Sequence, residues 1–148
     1  SENTTIIGDV VCGDRCSFWF NSVIRGDVHF IKIGNEVNIQ DGAIVHCTYK
    51  KSPTIIGNQV TVGHNAIVHG CTIKDRVLIG MGAIVLDDCI IESDSIVAAG
   101  AVLTIGTQVK SGEIFAGVPA KKVKEGNFKK QLLALANKYI EYSKWYED

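Results

Sequence analysis

The sequence predicts a mainly β protein, a parallel β-helix followed by one C-terminal α-helix, and the periodicity of its apolar residues is the main reason. From Ile33 onward an aliphatic residue recurs at every sixth position, with a small or branched residue four places after it. The phase holds over seven consecutive units from Ile73 to Val109. A period of six differs from the roughly 3.6 residues of an amphipathic helix and from the alternation of a half-buried strand. It is typical of a β-helix in which three short strands and tight turns make one coil of about 18 residues.

The repeat is less regular before Ile33, and its phase breaks at three places. Three residues are inserted after Ile24, five are inserted after Val45, and one is deleted after Val68. The longer insertion contains the polar, proline-bearing segment 48–53. Insertions in a β-helix loop out at its corners, where functional residues tend to collect.

The repeat ends after Val109 in a turn rich in Gly and Pro. We therefore assign residues 1–120 to the β-helix and residues 121–148 to a C-terminal helix of the same domain. Asn127 is the predicted N-cap. One face of this helix is predicted to pack against the outside of the β-helix, and it comprises Phe128, Leu132, Leu135, Ala136, Tyr139, Ser143 and Tyr146.

Composition limits the classes of function. The net charge of −1 comes without a basic cluster, which gives nucleic-acid binding no electrostatic support. No apolar stretch has the length of a membrane span, so no membrane partner is expected. The five cysteines form no CxxC pair, and Cys12, Cys16 and Cys89 are predicted at inward positions, as is Thr72. Buried thiols are typical of a reducing compartment, so a cytoplasmic protein is expected.

Two of the four histidines are placed by the repeat itself. His46 and His69 each follow a repeat aliphatic, Val45 and Val68, by one position. These aliphatics are 23 residues apart, which is one coil of about 18 residues plus the five inserted ones. The two imidazoles should therefore stack on adjacent rungs, roughly 4.8 Å apart at the backbone. Such a pair is suited to holding one metal ion.

His64 falls elsewhere, near a corner and above Asp41, and is poorly placed to reach the His46/His69 pair of its own chain. A threefold packing of β-helices could bring His64 of one subunit to the pair of its neighbour. The spacing thus predicts a homotrimer with a metal site at each subunit interface. Arg25 is predicted in the column of the pair, one rung earlier.

These motifs resemble the γ-class carbonic anhydrases, and in particular their small bacterial carbonic anhydrase-like members. The matching residues are Arg-Gly-Asp at 25–27, Asn-Ile-Gln-Asp at 38–41, His46, Gly-His at 63–64 and His-Gly-Cys at 69–71. The resemblance implies a left-handed β-helix and a homotrimer. It also implies a metal held by two histidines of one chain and one of the next.

The resemblance further implies the chemistry, reversible hydration of CO2 to bicarbonate by a metal-bound hydroxide. Zn²⁺ is the expected metal, although Fe²⁺ or Co²⁺ would bind the same donors. Gln40 would orient water or substrate, while Arg25 and Asp27 would form an ion pair in the same polar cluster as Asp41. Tyr139 matches a tyrosine near the metal pocket.

The proton path departs from that of the best-characterised archaeal members, which have glutamates near the metal. Here Val28 follows Asp27, and the insertion at 47–54 has lysines and no acid. Hydration is therefore expected to be weak unless His29, predicted at the rim, or Tyr139 replaces those glutamates.

Structural roles and further functions stay open. Each histidine could be a turn residue whose ring nitrogens hydrogen-bond only to the backbone. Arg25 and Asp27 could form a structural ion pair, and Gln40 or Tyr139 could have a packing role alone. A hexapeptide-class acyltransferase would use one histidine as general base with coenzyme A between subunits, but it leaves the stacked pair unexplained. The same motifs are also compatible with a metal-dependent ester or thioester hydrolase and with a non-catalytic, metal-stabilised trimer.

Overall fold

A computed structural model describes residues 1–146, and these residues form the predicted parallel β-helix with a single C-terminal α-helix. The strands are β1 (Thr5–Cys12), β2 (Ser17–Phe18), β3 (Val23–Ile33), β4 (Asn38–Ile39), β5 (Ile44–His46), β6 (Thr54–Ile56), β7 (Thr61–Val62), β8 (Ile67–His69), β9 (Thr72–Ile73), β10 (Leu78–Ile79), β11 (Ile84–Val85), β12 (Ile90–Ile91), β13 (Ile96–Val97), β14 (Val102–Leu103), β15 (Gln108–Val109), β16 (Glu113–Gly117) and β17 (Ala120–Glu125). The helix α1 spans Lys129–Ser143, and a 3-10 turn covers Lys144–Tyr146. The predicted fold class is confirmed.

The strands stack into three faces. One face, here called the histidine face, runs through β5, β8, β11 and β14 in parallel register. A second face runs through β6, β9, β12 and β15. The long strand β3 bends across the corner between these two faces, because its first part pairs with β5 and its last part pairs with β6. The third face, the helix face, runs from β2 through β4 and β7 to β16 and β17.

The interior consists of the aliphatic residues that define the repeat. Val45, Val68 and Val85 stack at the centre of the histidine face and are fully buried. Burial of each such side chain contributes about 1.5–3 kcal/mol, so the repeat itself supplies the main stabilisation. Around the one-residue deletion, Cys71 rather than the predicted Thr72 occupies the inward position, because the side chains alternate and Ile73 points inward.

The first coil is exposed where the repeat predicted burial. Ile6 is 51% exposed and Cys12 is exposed, whereas Cys16 is half-buried and Cys89 is buried. In the described part of the chain β1 pairs only with β3, so no further coil covers its side chains. The inward prediction is therefore wrong for Cys12 and holds for Cys89.

The segment before the helix differs from the predicted helical region 121–148. Residues 121–125 belong to β17, which turns back and pairs antiparallel with β16. The Nζ of Lys122 contacts Glu113 Oε1 at 3.0 Å across this hairpin. The N-cap is Phe128 instead of Asn127, although Asn127 Oδ1 still accepts a hydrogen bond from the Lys129 amide at 3.3 Å. Residues 147 and 148 of the predicted region lie outside the described residues.

The helix packs on the outside of the β-helix, as its pattern predicts. Leu132 and Ala136 are buried, and the ring of Tyr139 meets that of Trp19, just after β2, with centroids 5.6 Å apart. None of the helices among residues 1–146 has both the length and the apolar character needed to cross a membrane.

Candidate metal centre

Strand register brings His46 and His69 together at one edge of the histidine face. Both residues end their strands, β5 and β8, and they pair directly across the ladder. The Nδ1 of His46 lies 3.1 Å from the Nε2 of His69. The structure thus has the two histidines on adjacent rungs, and Arg25 lies in the same column because Ile24 pairs with Val45.

Each histidine of the pair also contacts a carboxylate through its other ring nitrogen. The Nε2 of His46 lies 3.1 Å from Asp27 Oδ1, and the Nδ1 of His69 lies 2.6 Å from Asp87 Oδ1. A carboxylate accepts the ring N–H, so the opposite nitrogen of each imidazole carries the lone pair.

His64 has the same arrangement at a different corner. It follows β7 in a turn, and its Nδ1 lies 2.9 Å from Asp41 Oδ2. Asp41 lies in the equivalent turn of the preceding coil, where its carbonyl accepts a hydrogen bond from the Asn65 amide at 2.9 Å. The free nitrogen of His64 is therefore Nε2, and the side chain is 42% exposed.

These donors fit a divalent metal ion of the zinc type. The lone pairs of His46 Nδ1 and His69 Nε2 face each other across 3.1 Å, so a cation or a shared proton between them is required. Two ligands on one tetrahedral zinc, with bonds of about 2.0–2.1 Å, are about 3.3 Å apart, which is close to this separation. Carboxylates behind the imidazoles, at Asp27, Asp87 and Asp41, are the usual companions of metal-bound histidine.

One chain does not assemble three donors. No group of three or more His, Cys, Asp or Glu side chains suited to a metal occurs within residues 1–146. His64 begins the crossing of the histidine face and His69 ends it, which separates them by about 10 Å or more at the rise of a strand. Residues 1–146 therefore carry two separate clusters, here called half-sites, the His46/His69 pair at one edge and His64 with Asp41 at the other.

Arg25 and Asp27 form the ion pair that the resemblance implies. The Nη1 of Arg25 lies 2.7 Å from Asp27 Oδ2, and Asp27 contacts His46 with its other oxygen. The hydrogen bond from Arg25, with a smaller one from His46, lowers the pKa of Asp27. Asp27 therefore stays ionised and keeps its place as an acceptor for His46.

Asp87 and Thr48 are the residues of this half-site that the sequence reasoning did not identify. Burial raises the pKa of Asp87, but the hydrogen bonds from the Thr48 hydroxyl and from His69 outweigh it, so the net pKa is lowered. A signal was present, because Val85 is 17 residues after Val68 and Asp87 is consequently one coil beyond Gly70. A carboxylate directly above a glycine beside a histidine can lean across to that histidine.

The polar residues near His64 lie between the helix face and α1. The Nε2 of buried Gln40 donates to Asn38 Oδ1 at 3.0 Å, and the same Gln40 side chain interacts with the Tyr139 phenol. Burial, with a contribution from the charge of Asp41, raises the pKa of Tyr139, so the phenol stays protonated at neutral pH. Tyr139, Asp41 and His64 line one cavity of about 240 Å³ together with Trp19 and neighbouring aromatic rings.

Arg25, Asp27, His46 and His69 thus share one half-site, and Asp41, His64, Gln40 and Tyr139 share the other. His29 belongs to neither set, since its Nδ1 accepts a hydrogen bond from its neighbouring Phe30 amide at 2.9 Å.

Three kinds of similarity to known proteins agree with this geometry. Residues 70–104 match the family model described as bacterial transferase hexapeptide, six repeats. The "Probable carbonic anhydrase" of Methanocaldococcus jannaschii is 42% identical over 125 residues, which is 84% of this chain and 78% of that protein. A crystal structure of a hexapeptide transferase family protein from Anaplasma phagocytophilum superimposes with a TM-score of 0.90 at 40% identity, covering 99% of this chain and 90% of the other.

A plant relative carries the same class name. "Gamma carbonic anhydrase 1, mitochondrial" of Arabidopsis thaliana is 43% identical over 126 residues, which is 82% of this chain. The chain spans 46% of the length of that relative. The repeat and the relatives agree, and the chain belongs to the γ-class carbonic anhydrase family of hexapeptide-repeat proteins.

Proposed function

We propose that this protein is a metal-dependent carbonic anhydrase-like enzyme that hydrates CO2 reversibly, with its metal sites shared between the subunits of a homotrimer. The observation that carries the proposal is the set of two half-sites at opposite edges of one face. Each of His46, His64 and His69 has one ring nitrogen on a carboxylate. The second nitrogens of His46 and His69 face each other at 3.1 Å, and that of His64 points away from Asp41. A threefold assembly that brings His64 of one chain to the His46/His69 pair of another completes a three-histidine site.

The ion would supply a Lewis acid that lowers the pKa of water towards about 7. Zn²⁺ is the proposed metal, and Fe²⁺ or Co²⁺ would be held by the same three nitrogens. Asp27, Asp41 and Asp87 would hold the imidazole rings in the tautomer that leaves the ligating nitrogens free. They would also balance the charge of the cation.

Gln40 and Tyr139 would act on water and substrate. The Gln40 amide is buried and tied to Asn38, so it can orient a small molecule without itself moving. The Tyr139 phenol, protonated at neutral pH, can donate a hydrogen bond to an oxygen atom that gains negative charge.

We propose that hydration is weak. Asp27 is followed by Val28, and the insertion at 47–54 carries Lys50 and Lys51 but no carboxylate. Protons leaving the site would therefore lack an acidic relay, and proton transfer limits turnover when the other steps are fast. The five free thiols, of which three are buried, support a reducing, cytoplasmic location as part of the same proposal.

The decisive experiment mixes two inactive variants. His69→Ala chains retain His64, and His64→Ala chains retain the His46/His69 pair. In trimers reassembled from equal amounts of both, random assortment restores about one quarter of the shared sites. We expect about one quarter of the wild-type zinc content and CO2 hydration measured by stopped flow, and neither in either variant alone.

The controls separate the competing functions. Mixing each variant with itself must restore nothing. Zinc retained by His64→Ala alone would contradict a shared site. Zinc bound by the wild type without hydration would contradict the anhydrase activity and favour an ester or thioester hydrolase or a metal-stabilised, non-catalytic trimer.

A hexapeptide acyltransferase is the second candidate, and the His64–Asp41 dyad is what favours it. Asp41 holds Nδ1, so Nε2 is free to act as a general base beside the aromatic cavity. This function needs no metal and leaves the His46/His69 pair without a role. Acetyl transfer from acetyl-coenzyme A by a His46→Ala variant would support it, whereas loss of all activity in that variant would count against it.

A further inference from the structure

Asp87 lies between His69 and the five-residue insertion and contacts both. It follows β11 at the start of a turn, and its side chain is only 16% exposed. One carboxylate oxygen, Oδ1, lies 2.6 Å from His69 Nδ1, while the other, Oδ2, accepts the hydroxyl of Thr48. The two oxygens therefore tie the insertion to His69 through a single side chain.

Gly70 leaves the space that this contact needs. A Cβ atom at position 70 would lie 2.4 Å from Asp87 Oδ1 and 3.0 Å from the Cβ of Ser52. Both distances are shorter than van der Waals contact, so any larger residue would push the carboxylate away from His69. Gly70 also has a φ of +56°, in the left-handed region that glycine adopts readily.

The insertion is held at both ends, which fixes the position of Thr48. Thr48 and Ser52 pair with each other in an antiparallel bridge. The hydroxyl of Ser52 donates to Asp88 Oδ1 at 2.7 Å. Asp88 thus anchors the insertion without contacting a histidine in the described hydrogen bonds, whereas its neighbour Asp87 contacts both.

We propose that Asp87 is a positioning residue that fixes the tautomer and orientation of His69, and that Thr48 holds Asp87 in place, so that the insertion sets the affinity of the site for a divalent cation. By accepting the Nδ1 proton of His69, Asp87 leaves Nε2 as the ligating nitrogen. Thr48 withdraws one carboxylate oxygen from solvent and orients the other. This inference deepens the proposed function, because it rests on His69 being a metal ligand.

The test compares Asp87→Ala with Asp88→Ala as the matched control, since both remove a carboxylate that binds the insertion and only Asp87 reaches His69. Two quantities are measured on the full-length protein. The first is the tautomer of His69 in metal-free protein, from long-range ¹H–¹⁵N NMR of the imidazole. The second is the zinc affinity, from competition with a chromophoric chelator.

We expect Asp87→Ala to lose the Nδ1–H tautomer of His69 and to bind zinc about 10- to 100-fold more weakly. Asp88→Ala should keep the tautomer and bind zinc within about twofold of wild type. Thr48→Val should lie between the two. Asp87→Asn should keep the tautomer, because its amide oxygen still accepts the Nδ1 proton, and it provides the conservative variant if Asp87→Ala folds poorly.

The outcomes separate this inference from the proposed function. An unchanged His69 tautomer in Asp87→Ala, or an equal loss of zinc affinity in Asp88→Ala, would overturn the positioning role. If wild-type protein binds no zinc, the proposed metal site fails. In that case the link between the insertion and cation affinity falls with it, while the NMR result still decides whether Asp87 orients His69.

Discussion

His69 ends a strand that lies between two others, whereas His64 lies in a turn at a corner of the β-helix. The register of β5, β8 and β11 fixes His69 relative to His46, and Asp87 holds it from the next coil. His64 is held by Asp41 alone among the described side-chain contacts, and its surroundings come from α1, the 3-10 turn and the residues that follow β2. The same unit, an imidazole on a carboxylate, is therefore built by the stacking of successive coils in both half-sites, and only the surroundings of His64 depend on tertiary docking of α1.

This difference teaches which half-site tolerates change. Strand pairing places His46 and His69 even if the helix moves, because the contacts of α1 are on the helix face. The His64 half-site depends on how α1 packs, since Tyr139 and Trp19 line its cavity. Substitutions at the contact between α1 and the β-helix can therefore disturb the His64 half-site while the His46/His69 half-site stays unchanged and serves as an internal control.

The largest expected effect comes from removing one ligand on either side. His46→Ala and His64→Ala should each weaken zinc binding by about 100-fold or more. Each removes one of three ligands, and the binding free energy of a complete zinc site is roughly 10–16 kcal/mol. Chelator competition measures the affinity, and melting in EDTA provides the control. Without metal, both variants should melt close to wild type, because both side chains are partly exposed and absent from the core. If only one of the two variants has a lower melting temperature than the wild type in EDTA, that histidine stabilises the fold without metal.

The next effect tests the dependence of the His64 half-site on α1. Trp19 meets Tyr139 and Tyr146 edge-on, each with ring centroids 5.6 Å apart. Trp19→Ala should destabilise the docking of α1 by about 2 kcal/mol through lost burial and lost aromatic contacts. Hydrogen exchange should then show lower protection of residues 129–143.

Trp145→Ala is the matched control for that variant, because Trp145 is 72% exposed and its loss should cost less than about 0.5 kcal/mol. Trp19→Ala should also leave the His69 tautomer unchanged, since His69 is placed by strand register. A changed tautomer would mean that the two half-sites are coupled through the fold.

The same contrast explains how much the sequence could predict. Counting coils was sufficient to stack His46 on His69 and to align Arg25 with them, because a β-helix converts a spacing in sequence into a distance in space. Counting also gave the position of His64 above Asp41. The role of these residues as metal ligands stays a prediction, since the strand register fixes geometry and not occupancy.

Other features depend on contacts that a repeat does not encode. The exposure of Cys12 follows from its place in a terminal coil. The hairpin of β16 and β17 forms because the edge of β16 is free to pair, while local helical preference suggested α1 began earlier. Asp87 was missed because its contact with His69 is diagonal between coils and requires the space at Gly70.

A smaller effect is expected from filling that space. Gly70→Ala should lower zinc affinity about 10-fold by displacing Asp87 from His69. It should also cost about 1 kcal/mol of stability, since alanine is strained at a φ of +56°. Gly100→Ala is the matched control, because Gly100 has a φ of +67° and nothing lies within 4 Å of an added Cβ. Equal zinc affinity in the two variants would remove Gly70 from the positioning of His69.

The smallest effect concerns a corner outside both half-sites, where Glu36 accepts hydrogen bonds from Gln59 and Arg15. The bond from Gln59 Nε2, at 2.7 Å, is the main cause of the lowered pKa of Glu36, with Arg15 adding to it. A carboxyl whose pKa is lower when folded stabilises the protein above its unfolded pKa of about 4.3, and this stabilisation is lost as the pH falls through the folded pKa. Glu36→Gln should therefore cost about 0.5 kcal/mol at pH 7 in denaturant titrations, and this cost should shrink as the pH falls below about 4.3. Because Glu36 touches neither half-site, the zinc affinity of Glu36→Gln should equal that of the wild type. A lower zinc affinity in this variant would show that the coils transmit strain from this corner to the half-sites.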